Sequence, residues 1–249
     1  MANRRHVVIT GGGRGIGATI ARRFAQNGDR ITILARTRDE VEKTADEIGG
    51  YGVRCDVGEP ASVEAAFMAA GPVDILVNNA GVARSSPVLK TDVRVWEEHL
   101  KVNLTGAFLC SLKVLPGMAN RNKGRIINIA SVAGLKGYAY LAAYCASKHG
   151  LIGLTRALAA EYADKGVTVN AICPGYVESP LLTNAIHNIV DKTGRPPDEV
   201  KLDLEAHNPQ RRFLDAEEVA AMCMFLASDE ARGVNGQALS ICGGELNSR

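Results

Sequence analysis

The sequence predicts an α/β fold: a single doubly wound domain, residues 1–249, on a seven-stranded parallel sheet. Short β-branched runs alternate with stretches of helical period along almost the whole chain. Seven such runs are present, and no internal repeat or low-complexity linker separates them. In a parallel sheet helices cover both faces, so its strands read as continuous apolar runs rather than as alternating ones. The runs that fit are His6 to Thr10, Arg30 to Ala35, Gly52 to Asp56, Asp74 to Asn78, Gly124 to Ala130, Val167 to Cys173 and Ala238 to Ile241. Helical stretches fall between them near Ile16 to Gln26, Arg38 to Ile48, Ser62 to Ala70, Trp96 to Ala119, Ala142 to Ala163 and Asp215 to Leu226.

One stretch breaks the rhythm. Residues Glu178 to Phe213 carry Pro180, Pro196, Pro197 and Pro209 amid mixed polarity, and they read as a short insertion that covers a substrate. The rest of the composition narrows the function classes. With 29 Lys and Arg against 27 Asp and Glu and no dense basic run, nucleic acid is not an expected partner. No signal peptide or uncharged apolar run of membrane length is found, so no membrane association is expected. Cys55, Cys110, Cys145, Cys173, Cys223 and Cys242 are widely spaced, with no C-x-x-C pair and no clustered His. They read as reduced thiols of a cytoplasmic protein, and no metal site is expected.

The first strand runs directly into Thr10-Gly11-Gly12-Gly13-Arg14-Gly15-Ile16-Gly17, where a helical pattern begins. A strand, a glycine turn and a helix N-terminus together make an anion site, because backbone N–H groups and the helix dipole point at a pyrophosphate. Glycine is needed where a Cβ would block close approach. About twenty residues further on, an acidic residue would hold the ribose hydroxyl of NAD. This chain has Arg36 there, a guanidinium suited to a phosphate, and Arg14 lies in the glycine loop. NADP is therefore the expected cofactor and NAD the alternative, in which case Arg36 is a solvated charge beside Asp39 and Glu40. Ends of parallel strands are where ligands sit, which brings in Asp56 and Val57 after the third strand and Asn79 and Gly81 after the fourth. Asp56 suits the adenine amino group. Asn79 and Gly81 either line the path of the adenine ribose or fill a strand-to-helix turn.

Ser131 closes the fifth strand, and Tyr144 and Lys148 follow as Tyr144-Cys145-Ala146-Ser147-Lys148. Tyr and Lys at i and i+4 share a helix face. A free phenol has a pKa of about 10, and a neighbouring ammonium together with a positive nicotinamide favours the phenolate, which makes the pair a working acid or base. Ser131 is placed to hydrogen-bond a substrate oxygen as charge develops on it.

The runs TGGGRGIG, CDV, NNAG, KVNLTG, NIAS, YCASK and CPGYVESP stand in one order and spacing over essentially the whole chain. On these the chain resembles the short-chain dehydrogenase/reductase family, whose fold is of the Rossmann type. The resemblance implies Tyr144 as catalytic acid/base and Lys148 as its electrostatic partner and ligand of the nicotinamide ribose. It implies Ser131 as substrate orienter and Asn103 as support of a water link to Lys148. Pro174, Gly175 and Val177 are implied to border the nicotinamide, and Arg36 falls where NADP-using members place a basic residue. Cys242 and Ser179 depart from the frequent Asp and Thr. The runs YCASKHG, VNAICPGYVESP and ALSICGG are similar to those of ketoreductases acting on polyketide or 3-oxoacyl thioesters. The implied activity is hydride transfer between NADP(H) and a ketone or secondary alcohol, foremost reduction of a 3-oxoacyl thioester or related ketone. Small alcohols, hydroxy acids and cyclic or steroid-like ketones remain open as substrates. An NAD-linked alcohol or hydroxy-acid dehydrogenase is the rival enzyme, and a non-catalytic NADP-binding regulator the rival of another class. Arg211 and Arg212 either meet an acidic carrier or CoA phosphates or lie in a solvated loop. The helices around Trp96 to Ala119 and Ala142 to Ala163 lack a fully polar face, and in relatives such helices pair between subunits, which implies a homotetramer or a dimer.

Overall fold

The computed structural model describes residues 4–247. Seven strands form one parallel sheet in the order β3-β2-β1-β4-β5-β6-β7. They are β1 (His6–Thr10), β2 (Arg30–Ala35), β3 (Tyr51–Arg54), β4 (Ile75–Asn78), β5 (Gly124–Ile129), β6 (Val167–Pro174) and β7 (Ala238–Ile241). Each run expected from sequence is a strand, with ends that differ by at most two residues. The chain winds outward from β1 to β3 and then returns to lay β4 on the other side of β1, with Val7 registered to Ile31 of β2 and to Ile75 of β4. That reversal opens a crevice at the carboxyl ends of β1 and β4, where ligands bind in such sheets.

Successive residues of a strand point to opposite faces, so β1 feeds two cores. Val7 and Ile9 join Ile33, Ile127, Phe24 and Ile20 of α1 (Gly15–Gln26), Val41 of α2 (Arg38–Ile48) and Val219 of α9 (Ala216–Leu226). Val8 joins Leu34, Leu76, Ile126, Phe67 of α3 (Pro60–Ala70), Leu115 and Met118 of α5 (Gly106–Asn120) and Leu158 of α6 (Ala142–Glu161). A polar chain crosses the second core. Asn78 Nδ2 donates to Asn128 Oδ1 at 2.9 Å, and Asn128 Nδ2 donates to Thr155 Oγ1 at 2.9 Å. A buried amide left unpaired costs about 1–3 kcal/mol, so this relay allows α6 one register against β5.

Two expectations are revised. The single helix expected from Trp96 to Ala119 is a rod of three parts: α4 (Val93–Leu100), a π-helical turn (Lys101–Thr105) and α5. It starts early because the Asp92 side chain accepts from the Arg94 N–H at 2.8 Å, capping the first turn. The rod is apolar enough to cross a membrane by composition alone, with a mean hydropathy of 1.3 over eighteen residues, and half of that window is buried against the fold. The second revision concerns Glu178 to Phe213, which holds two helices, α7 (Pro180–Thr193) and α8 (Pro197–Glu205). Pro180 and Pro197 stand at the first position of these helices, where the missing N–H has no intrahelical partner to lose. Ser179 completes the start of α7 by accepting from the Leu182 N–H at 3.3 Å.

Candidate active site

A cavity of about 1280 Å³ opens at the carboxyl ends of the strands, with the glycine loop at one end and α7 and α8 at the other. The loop between β1 and α1 is held in a shape that needs glycine. Gly11 has φ +65° and Gly15 φ +53°. A Cβ on Gly17 would lie 2.3 Å from the Gly11 carbonyl oxygen. Helix α1 begins with no acidic residue in its first turn and no side-chain cap, so its first N–H groups are left for an external anion. Thr10 fastens the neighbouring exit, its hydroxyl accepting from the N–H groups of Asn79 and Ala80 at 3.0 Å each.

Gly11, Arg14, Gly15, Ile16, Arg36, Asp56, Val57, Asn79 and Gly81 line this end of the cavity. Gly17 does not: it is buried behind the loop, and its lack of a side chain serves the approach of α1 to β1. Arg14 is occupied by Glu40 at 3.2 Å, and Arg38 by Glu42 at 2.6 Å. Among the described residues no ion pair engages Arg36, which stands exposed at the end of β2. Asn79 Nδ2 donates to the carbonyls of Thr10 and Gly11 at 3.0 and 3.1 Å, so its amide ties the glycine loop to β4. Asp56 accepts from the Gly58 N–H at 3.0 Å in a local turn while still facing the cavity.

Across the cleft lie Ser131, Tyr144, Lys148, Pro174, Gly175 and Val177. Ser131 follows β5 and caps a short turn by accepting from the Ala133 N–H at 3.1 Å. Its hydroxyl is also near enough to the Tyr144 phenol to lower that phenol's pKa. One turn further along α6, the Lys148 ammonium donates to the Ile129 carbonyl at 2.7 Å and sits 5.7 Å from the centre of the Tyr144 ring. Asn103 does not line the cavity. It is buried in the π-helical turn, its Oδ1 accepting from the Val82 N–H at 2.8 Å and its Nδ2 donating to Val82 O and Ser147 Oγ at 2.9 and 3.0 Å. A π-helical turn within an α-helix frequently marks a functional position.

Burial acts on the catalytic pair in opposite directions. It pushes the Tyr144 phenol up to about 12 against the lowering effect of Ser131, and pulls the Lys148 ammonium down from 10.5 to about 8. Three residues near the site escaped the sequence reading. His99 is fully buried with its ring edge-on to Tyr144, the centroids 6.4 Å apart. Its Nδ1 donates to Val95 O at 2.6 Å and its Nε2 accepts from the Arg84 N–H at 3.1 Å, which fixes the tautomer. Tyr138 and Tyr176 line the substrate end of the cavity. The i, i+4 spacing from His99 to Asn103 and the position of Tyr138 seven residues after Ser131 are visible in the sequence, but nothing in their spacing states a role.

A parallel sheet with a glycine loop at its switch point, facing a tyrosine–lysine pair across a cleft, is the arrangement of a dinucleotide-dependent oxidoreductase. Residues 5–189 match the short chain dehydrogenase family, and the chain belongs to that family. It is 37% identical over 243 residues to a 3-oxoacyl-acyl-carrier-protein reductase of Vibrio cholerae, the match covering 95% of both chains. It is 39% identical over 247 residues to 2-(S)-hydroxypropyl-CoM dehydrogenase 3 of Xanthobacter autotrophicus, over 96% of this chain and 95% of the other. A crystal structure of an actinorhodin polyketide ketoreductase variant with NADPH is similar at 37% identity, with a TM-score of 0.93 over 100% of both chains.

The Lys148 shift makes stability depend on pH. The fold disfavours the ammonium, so its penalty is absent above the unfolded value of 10.5 and grows as pH falls toward about 8. Replacing Lys148 with Met removes the titration. The stability of Lys148→Met relative to the parent is therefore expected to improve as pH drops across that window and to level off below it, as read by urea unfolding at several pH values. A difference that does not change with pH would contradict the burial of a strained ammonium.

Proposed function

We propose that this oxidoreductase reduces a ketone with NADPH, foremost a 3-oxoacyl thioester or a related ketone. The observation that carries this reading is one continuous cavity with the uncapped α1 terminus and the unpaired Arg36 at one end and the Ser131–Tyr144 hydroxyl pair at the other. The residues fit the cofactor. The glycine loop and first turn of α1 offer N–H donors to its pyrophosphate, and Arg36 offers a guanidinium to its 2′-phosphate. Lys148 would hold the nicotinamide ribose, and Pro174, Gly175 and Val177, which line the same cavity, would border the ring. When bound, NADPH supplies the hydride.

The chain's own residues handle the oxygen and the proton. Ser131 holds the carbonyl oxygen by a hydrogen bond that strengthens as negative charge gathers there. Tyr144 gives its proton to that oxygen. A protonated phenol is the form that can donate in the reductive direction. Lys148 steadies the phenolate left behind, since an ammonium close to a phenolate favours the charged form. Asn103 holds the strand exit at Val82 and the Ser147 hydroxyl, keeping α6 at its distance from the sheet. Helices α7 and α8, within residues 178–213, cover the substrate, and Arg211 and Arg212 lie outside the cavity lining. Arg212 is paired with Glu218 at 2.7 Å, which supports the solvated-loop reading.

The reading extends to assembly. Trp96 on α4 and Phe108 and Leu112 on α5 are exposed by 40%, 41% and 45%, an apolar stripe along the rod that suits pairing with a second copy as a homotetramer or dimer. Six buried thiols with no disulfide among the described residues are consistent with a cytoplasmic protein.

Three outcomes are expected. Arg36→Asp shifts the ratio of NADPH to NADH affinity by more than tenfold toward NADH, measured by nicotinamide fluorescence titration; an unchanged ratio makes Arg36 a bystander and favours the NAD-linked reading. Tyr144→Phe lowers kcat on a panel of 3-oxoacyl thioesters and simple ketones by on the order of 10²–10⁴-fold, and near parental turnover would overturn the role of the phenol. Light scattering at micromolar concentration gives a mass of two or four chains, and a monomer would remove the assembly.

A further inference from the structure

Behind the substrate end of the cavity a carboxylate is buried that the chemistry above does not use. After β7 the chain turns on Gly243 (φ +59°) and Gly244 (φ +98°), a conformation that side chains rarely adopt. A Cβ on Gly243 would lie 1.8 Å from Asn208 Oδ1, so the tail packs tightly against the end of the α7–α8 segment. The turn delivers Glu245 to the interior, where only 2% of it is exposed. Three side chains from two other segments converge on it. Tyr138 donates its hydroxyl to Glu245 Oε1, Lys136 Nζ lies 3.2 Å away and His207 Nδ1 3.7 Å away. Gly175 leaves room for the other oxygen, since a Cβ there would sit 3.3 Å from Glu245 Oε2.

The rings that meet at this carboxylate form a continuous surface. The centroids of Tyr138 and His207 are 5.9 Å apart, those of His207 and Tyr176 5.7 Å, and those of Tyr176 and Phe213 6.5 Å. Tyr138, Tyr176 and His207 line the same cavity as Tyr144, whereas Glu245 does not. The Tyr138 hydroxyl is thus spent on a group behind the wall, which leaves ring surface to face a substrate. Burial and the Glu245 carboxylate both push the Tyr138 phenol up, so it stays the donor in this contact, and the Tyr176 phenol is raised to about 12 for the same two reasons. An ionised carboxylate out of water needs such partners, and removing it frees the rings to turn.

We propose that Glu245 is a positioning residue that sets substrate specificity: it locks Tyr138 and His207 beside Tyr176 as an aromatic wall that selects ketones carrying a flat, conjugated or ring portion over saturated linear ones. The wall gains by offset or edge contact with a planar group, which aliphatic chains do not match. This inference rests on the ketone-binding reading of the cavity, but its test does not need turnover.

Ethyl benzoylacetate and ethyl butyrylacetate are a matched pair of 3-oxo esters that differ in a phenyl against a propyl group. Their affinities are measured by calorimetry on the complex of the full chain with NADP, which cannot reduce them, and kcat and KM are then measured with NADPH. The parent is expected to bind the phenyl ester at least tenfold more tightly. Glu245→Gln is expected to cut that preference to below threefold through KM, with kcat for the propyl ester and the affinity for NADP within twofold of the parent. Tyr138→Phe removes the hydroxyl from the other side of the contact without touching the tail, and it is expected to give the same loss. Both substitutions act on the Tyr138–Glu245 contact, so the losses in the double variant are expected to be clearly less than additive. The proposal is overturned if the parent shows no phenyl preference or binds neither ester, if the preference survives both substitutions, if the two losses add, or if ketone and NADP affinity fall together. A parent that binds the phenyl ester selectively but reduces neither ester would remove the reductase reading and leave the wall standing.

Discussion

The approach of helix α1 to the carboxyl ends of β1 and β4 is the constraint on which the site depends. At Gly17 the helix backbone comes so near the Gly11 carbonyl that a methyl group would overlap it. The loop between them must then turn through positive φ at Gly11 and Gly15, and Asn79 and Thr10 tie it to the exit of β4. Backbone N–H groups and an uncapped helix terminus are thereby fixed in one crevice. Anion binding at such a place follows from peptide dipoles rather than from any charged side chain.

At the other end of the cavity, register does what backbone approach does at the first. The Asn78–Asn128–Thr155 relay runs from β4 through β5 into α6 and fixes how that helix lies on the sheet. Tyr144 and Lys148 are carried on the same helix, so the relay also sets where the phenol meets Ser131 and where the ammonium meets the Ile129 carbonyl. Both groups are largely withdrawn from water, and desolvation drives each toward its neutral form.

Much of this was legible in the sequence because it is local or periodic. Strand runs buried on both faces need no partner to be recognised, and β1, β2 and β7 have the ends expected of them. Tyr144 and Lys148 share a helix face by spacing alone, and the glycine loop announces itself between a strand and a helix. Errors fell where one residue type serves two ends. Pro180 and Pro197 punctuate the chain, but whether proline stops a helix or starts one is decided by the residues that follow, and here both start one. The π-helical turn at Asn103 was invisible for a related reason, since the apolar pattern continues through it and only the extra residue in the hydrogen-bond ring marks the change.

By itself the sequence determined the order of the strands and of most of the helices between them, the glycine turn at the end of β1 and the shared helix face of Tyr144 and Lys148. These follow from rules of short range: side-chain period, glycine dihedrals and the i, i+4 geometry of a helix. Only the tertiary structure decided which residues surround Tyr144 and Lys148 and how far the two are withdrawn from water. Tyr138 and Glu245 are 107 residues apart and His207 belongs to neither segment, so no window of sequence contains their meeting. The shifts at Tyr144 and Lys148 depend on how much water the packed helices and sheet exclude, a property of the assembled core rather than of neighbours along the chain.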